Sequence, residues 1–274
     1  MRTFFKHTLR TVVVLVAVTA ITSISIDATD TFRTSQSALG IFASYVTKTG
    51  CAEGTASLQF GDNTLCIDVY EASVGESCPI AEPHSAVDTA TNAATPECMP
   101  VSKPGVLPWR FATVVQAEEL CARAGKRLLS AAEWYAAARG TADGDQVCVL
   151  TSTLQPTGSV PKCHAGSGAF DMVGNVWELV SDRVQNGVLD GVSLPNQGYV
   201  TEVSQIGVPN RTGESPSAIY NNDYFWREAG DTAAVMRGGY YGSGSDGGIY
   251  SVHTGMNQDF ASAATGFRCV GMPK

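Results

Sequence analysis

Apolar and polar positions change their period twice along this chain. After Arg2, Lys6 and Arg10 comes an uncharged apolar run over residues 11–26, diluted by Thr and Ser in its second half. A basic start and a run shorter than the roughly 20 residues of a spanning helix predict a secretory signal peptide. Val18-x-Ala20 and Ile26-x-Ala28 are both possible cleavage sites; the alternative is that residues 1–28 stay as an N-terminal membrane anchor. Residues 29–50 are polar and threonine-rich apart from a patch at 39–46, and read as a stalk. From residue 51 to 274 the chain predicts one folded domain.

Two stretches of that domain carry a helical period. Residues 114–124 place Ala117, Leu120, Cys121 and Ala124 on one face. Thr113 and Gln116 form a capping box before them, and Gly125 ends the run. Ser130 and Glu133 form a second capping box, opening a helix that stops by Gly140, with Trp134 and Ala138 one turn apart towards the core. Residues 81–100 are rich in Ala, Thr and Pro without periodicity and read as a loop held by flanking cysteines. Beyond Gly140 glycine becomes frequent and the helical period disappears, which predicts short strands and long loops. No internal repeat is present.

Composition narrows the chemistry. A net charge of -8 leaves no basic field for a phosphate backbone, so nucleic acid is excluded as a partner. Eight cysteines, an even number, suit an oxidising compartment and allow about 105 pairings. No Cys-x-x-Cys occurs and Cys163-His164 stands alone, so disulfides are the better reading than a metal site. The stretch Asp171-Met172-Val173-Gly174-Asn175-Val176-Trp177-Glu178 sets two carboxylates either side of a Gly-Asn turn. Two acidic side chains with intervening carbonyls offer the oxygen-rich cage that Ca²⁺ prefers. The plain alternative is a metal-free turn in which Glu178 accepts backbone hydrogen bonds and Trp177 packs.

The same stretch, extended from Gly168 to Asp182, resembles the signature of the formylglycine-generating enzyme (sulfatase-modifying factor) family, a variant of the C-type lectin fold. Three further stretches agree, in the family's order. They are Leu65-Cys66-Ile67-Asp68-Val69-Tyr70-Glu71-Ala72, then Gly125-Lys126-Arg127-Leu128 through Glu133-Trp134, then Arg237-Gly238-Gly239 followed by Gly266-Phe267-Arg268-Cys269. The resemblance implies an α+β domain with little regular secondary structure, stabilised by disulfides. It also implies a structural Ca²⁺ held by the Asp171 side chain, the carbonyls of Gly174 and Val176, and Glu178. It joins Cys121 to Cys269. Proximity then suggests Cys148 with Cys163, Cys78 with Cys98, and Cys51 with Cys66.

Members of that family that oxidise a substrate cysteine use a copper-binding cysteine pair between the Arg-Gly-Gly and Gly-Phe-Arg-Cys motifs. Here that interval contains no cysteine. His253 and Met256 do not replace two thiolates, so the oxidase reading fails at the residues that carry it. Gly242-x-Gly244-x-x-Gly247 matches a dinucleotide fingerprint, but strand-like residues follow it where a helix is required. His253 with Ser243 and Asp246 is a triad only on paper.

What the interval does offer is recognition chemistry. Tyr240, Tyr241, Ser243, Asp246, Tyr250, His253, Asn257 and Asp259 alternate with glycine and serine, as in binding loops. For Tyr250 the core is an equal alternative. Trp109, Trp134, Phe225 and Trp226 read as packing. Some bacterial proteins of this lectin-like type are diversified by retroelements in the stretch before Gly-Phe-Arg, and the composition of 240–259 fits such a process. The sequence thus predicts an exported or surface-anchored, non-catalytic module binding a protein or glycan through its 240–259 face. A formylglycine-generating-type enzyme and a structural envelope protein are the alternatives.

Overall fold

Strand alternation begins at Thr55–Phe60 (β1) and Asn63–Asp68 (β2), which pair antiparallel with Phe60 opposite Asn63. The two-residue turn between them puts Gly61 at φ +58°, a left-handed conformation suited to tight hairpins. A computed structural model describes residues 50–142, 147–227 and 232–274. The export segment and the stalk expected over 1–49 lie outside the described residues. The chain divides into two units, Met1–Gly50 and Cys51–Lys274, and the elements below belong to the second. No helix among the described residues is long and apolar enough to cross a membrane.

After the hairpin come Ser73–Val74 (β3), helix Ala86–Ala94 (α1), Pro100–Val101 (β4), helix Val114–Arg123 (α2), Arg127–Leu128 (β5) and helix Ala131–Ala138 (α3). The remaining strands are Trp177–Gln185 (β6), Val188–Leu189 (β7), Val192–Ser193 (β8), Gly198–Val203 (β9), Pro209–Gly213 (β10), Tyr224–Trp226 (β11), Thr232–Arg237 (β12), Val252–Met256 (β13), Thr265–Phe267 (β14) and Cys269–Gly271 (β15). A small sheet runs β1-β2-β15-β5, bringing the ends of the domain together. A larger sheet runs β10-β9-β11-β13-β12-β6-β7-β8, with β14 parallel to β6.

Both faces of the larger sheet are covered, and the two-residue strand period shows how. In β6, Val180 and Val184 join a core with Trp134 and Phe225, whereas Trp177 and Leu179 join a second core with Trp109, Leu120 and Phe267. In β12, Val235 faces the first core while Ala234 and Met236 face the second. The mixed helix and strand content and the long connections are those of an α+β domain.

Both capping boxes form as the sequence indicates. Thr113 Oγ1 accepts from the Gln116 N–H, and Ser130 Oγ accepts from the Glu133 N–H. Residues 81–100 correct the sequence reading, because helix α1 lies inside the expected loop. Ser85 caps it by accepting from the Asp88 N–H. Its buried face is polar: Thr89 donates to the Arg110 carbonyl and accepts from Trp109 Nε1, and Asn92 bonds both ways with the Ile80 backbone. Partners distant in sequence thus fix a helix that an apolar-stripe criterion overlooks.

Four disulfides join Cys51 to Cys66, Cys78 to Cys98, Cys121 to Cys269 and Cys148 to Cys163. These are the pairs named from the sequence, and they leave no free cysteine. Such bridges form and persist in oxidising compartments.

The Arg237-Gly238-Gly239 corner has a steric reason. Gly238 adopts φ +90°, and a Cβ there would sit 2.6 Å from the Met172 carbonyl oxygen. Gly238→Ala is expected to cost about 2–4 kcal/mol through strain and forced displacement. Urea denaturation checks it; a loss below about 0.5 kcal/mol would show that the corner relaxes freely.

Candidate functional site

Two constellations meet at β6. The first is a buried carboxylate cluster. The turn before β6 holds Asp171 at φ +57° and Asn175 at φ +55°, left-handed conformations that Asp and Asn tolerate. Glu178 is buried, and Arg268 donates to it from Nε (2.9 Å to Oε1, 2.8 Å to Oε2) and from one terminal nitrogen to Oε1. Trp134 Nε1 donates to Oε2 at 2.7 Å. Arg268 also donates to the carbonyls of Asp68, Val69 and Phe170. Glu71, to which sequence reading assigned no role, is buried in the same cluster and accepts from Asn175 Nδ2 at 2.6 Å and from the Val176 N–H at 3.3 Å.

Burial, then the charges of Asp171 and Glu178, push the Glu71 carboxyl well above its usual range. Burial foremost, with Glu178 adding, raises Asp171 to about 6 against the Gly158 N–H and Arg268. The Ca²⁺ expected from Asp171, Gly174, Val176 and Glu178 does not fit this arrangement. Three N–H groups, two of Arg268 and one of Trp134, already engage both oxygens of Glu178, and an ion would have to displace the guanidinium. Among the described residues no group of three or more His, Cys, Asp or Glu is arranged to hold a metal.

A raised carboxyl pKa gives stability that is complete below the unfolded value and lost as pH rises through the folded one. Asp171→Asn should therefore stabilise the domain by about 2 kcal/mol more at pH 7.5 than at pH 4.5, in chelator. Asparagine tolerates the left-handed backbone and can still accept from Gly158. His253, held down at about 4 by burial, contributes an opposite slope to both proteins, so their difference isolates Asp171. Denaturation at the two pH values checks it; equal effects at both would contradict the shift.

The second constellation is a cavity of about 440 Å³ on the other side of Trp177. Its floor is a cross-strand row: Trp226 on β11 stands opposite His253 on β13, which stands opposite Met236 on β12. Trp226 and His253 lie parallel, with centroids 6.1 Å apart and planes at 12°. Trp177 meets both edge-on, at 5.2 Å from Trp226 and 5.8 Å from His253. One wall is the turn carrying Tyr240, Ser243 and Asp246; the other is Met256, Phe260 and the 262–265 loop. His253 Nδ1 accepts from the Gly255 N–H, so the neutral ring carries its proton on Nε2.

Of the residues expected at a binding face, Tyr240, Ser243, Asp246 and His253 line this cavity. Tyr241 flanks it, edge-on to Tyr240 at 5.1 Å, and Asn257 and Asp259 are exposed on the turn before Phe260. Tyr250 does not join them. It packs with Tyr135 and Tyr220, and its N–H donates to Asp223, so it belongs to the core side. Sequence reading missed Trp177 and Trp226 as cavity residues because each also packs on the second core. The glycine fingerprint at 242–247 runs through a short 3-10 turn, Gly244–Asp246, and enters β13 with no helix behind it.

A model of the sulfatase-modifying factor enzyme 1-like domain matches residues 29–272. No curated protein matches the chain. Among solved structures, the Major Tropism Determinant I1 variant is 14% identical, with 81% of this chain and 56% of that one covered at a TM-score of 0.44. This chain therefore spans little more than half of that protein's length. Treponema denticola variable protein 1 is 14% identical over 81% of this chain and all of its own, at a TM-score of 0.42. CarF is 17% identical over 80% and 96%, at 0.40. With every score below 0.5, no functional reading rests on these likenesses.

Proposed function

Because this chain belongs to the sulfatase-modifying factor enzyme 1-like domain family, a C-type-lectin-type α+β fold, we propose that it uses the family's frame to bind rather than to oxidise. The observation that carries this reading is the aromatic-lined cavity at the 240–265 edge, where exposed and half-buried side chains sit on a buried frame. The chemistry of an oxidase lacks its residues. All eight cysteines are bridged, and none lies between Gly239 and Gly266. The protein is read as secreted or held at the cell surface, presenting this face to a protein or glycan. Diversification of residues 240–259 is compatible with the separation of roles along the segment, since Gly247, Gly248, Ile249, Ser251 and Val252 are buried while Tyr240, Asp246 and Asn257 are not.

Arrays of glycans and peptides probed with the domain test the reading. Trp226→Ala and Tyr240→Ala should each weaken any saturable signal by about tenfold or more, as expected for aromatic anchors. Both side chains also pack on the second core, so Trp226→Phe and Tyr240→Phe, which keep a ring, and a melting curve for each variant separate a loss of binding from a loss of folding. Binding untouched by both variants would place the ligand elsewhere.

A further inference from the structure

The cavity's polar groups are unequal, and that inequality points to a ligand class. Ser243 Oγ accepts from the Tyr240 N–H at 2.9 Å, and the hydroxyls of Ser262 and Thr265 are 2.8 Å apart and bonded to each other. His253 Nδ1 is taken by Gly255. Among the described residues the Asp246 carboxylate has no hydrogen-bond or ion-pair partner, and it supplies the cavity's single charge. Around it are the rings of Trp177, Trp226, Tyr240 and Phe260 and the thioethers of Met236 and Met256. The Ser243, Ser262 and Thr265 hydroxyls each already hold a hydrogen bond, which leaves the Tyr240 hydroxyl, His253 Nε2 and the Asp246 carboxylate to meet a ligand. A cation with an apolar shell needs aromatic faces and one counter-charge.

We propose that this cavity takes an alkylated ammonium group, of the quaternary kind found in choline, against Trp177, Trp226, Tyr240 and Phe260, with Asp246 as counter-charge. The inference rests on the binding reading above and adds the chemical class. An aromatic face attracts a cation through its quadrupole, and the attraction grows when the site excludes water. A quaternary group has no N–H to satisfy, so a cavity poor in free acceptors loses nothing by holding it. Room of about 440 Å³ accommodates the group and part of the chain that carries it. Desolvation raises the Asp246 carboxyl somewhat, as befits a charge set at the edge of a partly apolar cavity.

The test is calorimetric titration of the domain with choline and with its neutral isostere 3,3-dimethyl-1-butanol, followed in parallel by tryptophan fluorescence. Choline should bind saturably and at least about tenfold more tightly than the isostere. Asp246→Asn, a conservative change at a partly exposed site, should reduce choline affinity about fivefold or more and leave the isostere unaffected. Trp226→Phe, which keeps a ring and the fold, should weaken choline less than Trp226→Ala does. Equal binding of choline and isostere would overturn the cationic class while leaving a binding cavity in place. No saturable response to choline, with array ligands still lost in Trp226→Ala, would overturn the inference and spare the binding reading. Loss of neither would sink both.

Discussion

Arg268→Met is expected to destabilise the domain by about 3–5 kcal/mol, the usual cost of stranding a buried charge. Arg268 and Glu178 are each 1% exposed, and the guanidinium is the cation common to Glu178, Asp171 and Glu71. Removing it leaves three carboxylates in a site that water does not reach, and frees the carbonyls of Asp68, Val69 and Phe170 from their donors. Methionine preserves volume, so the loss reports charge and hydrogen bonding rather than a cavity. Arg268→Lys should recover only part of the stability, because an ammonium cannot reproduce the fork across both Glu178 oxygens. The combination with Glu178→Gln should be less harmful than the two single changes summed, since each removes the same interaction. Urea denaturation of the unsubstituted domain and these four variants checks this; a loss under about 1 kcal/mol for Arg268→Met would mean that the carboxylates are neutralised some other way.

Removing the bridge between Cys121 and Cys269 should be the costliest disulfide loss. Its cysteines are 148 residues apart, against 15 for Cys148–Cys163, 15 for Cys51–Cys66 and 20 for Cys78–Cys98. Loop-closure entropy assigns about 3 kcal/mol to a 15-residue loop and about 5 kcal/mol to one this long. The bridge also pins α2 to β15, the strand that closes the small sheet beside Arg268. Both cysteines are fully buried in the second core, so paired alanine substitution adds a packing loss. Cys121→Ala/Cys269→Ala is therefore expected to lower stability by about 4–6 kcal/mol, and Cys148→Ala/Cys163→Ala by about 3 kcal/mol. Chemical denaturation under non-reducing conditions ranks them; the reverse order would show that native contacts, not chain entropy, dominate.

The sequence was informative where local chemistry decides structure. Thr113 with Gln116 and Ser130 with Glu133 signal their helices because cap and box lie within four residues. The Gly-Asn turn at 174–175 stands out because few residues can adopt its backbone, whereas Gly238 entered only through the Arg-Gly-Gly resemblance. What was illegible depended on partners far along the chain. Helix α1 is held by Thr89 and Asn92 through Arg110, Trp109 and Ile80, none of which its own period reveals. Arg268 reaches Glu178 across 90 residues. The cavity floor was hidden for a related reason: Trp226, His253 and Met236 become neighbours only when β11, β13 and β12 pair. Tyr250 shows the converse, a loop-like residue drawn inward by Tyr135 and Tyr220.

If the 240–260 edge is a face mounted on a frame, one measurement shows it without a known ligand. Every substitution from residue 226 to 269 would be displayed in the oxidised domain and scored for protease resistance. The expected result is tolerance at Trp226, Tyr240, Asp246, Asn257 and Phe260, with intolerance at Gly238, Val252, Phe267, Arg268 and Cys269. Equal intolerance in the two groups would contradict it, making the aromatic cavity part of the fold's own packing rather than a surface kept for a ligand.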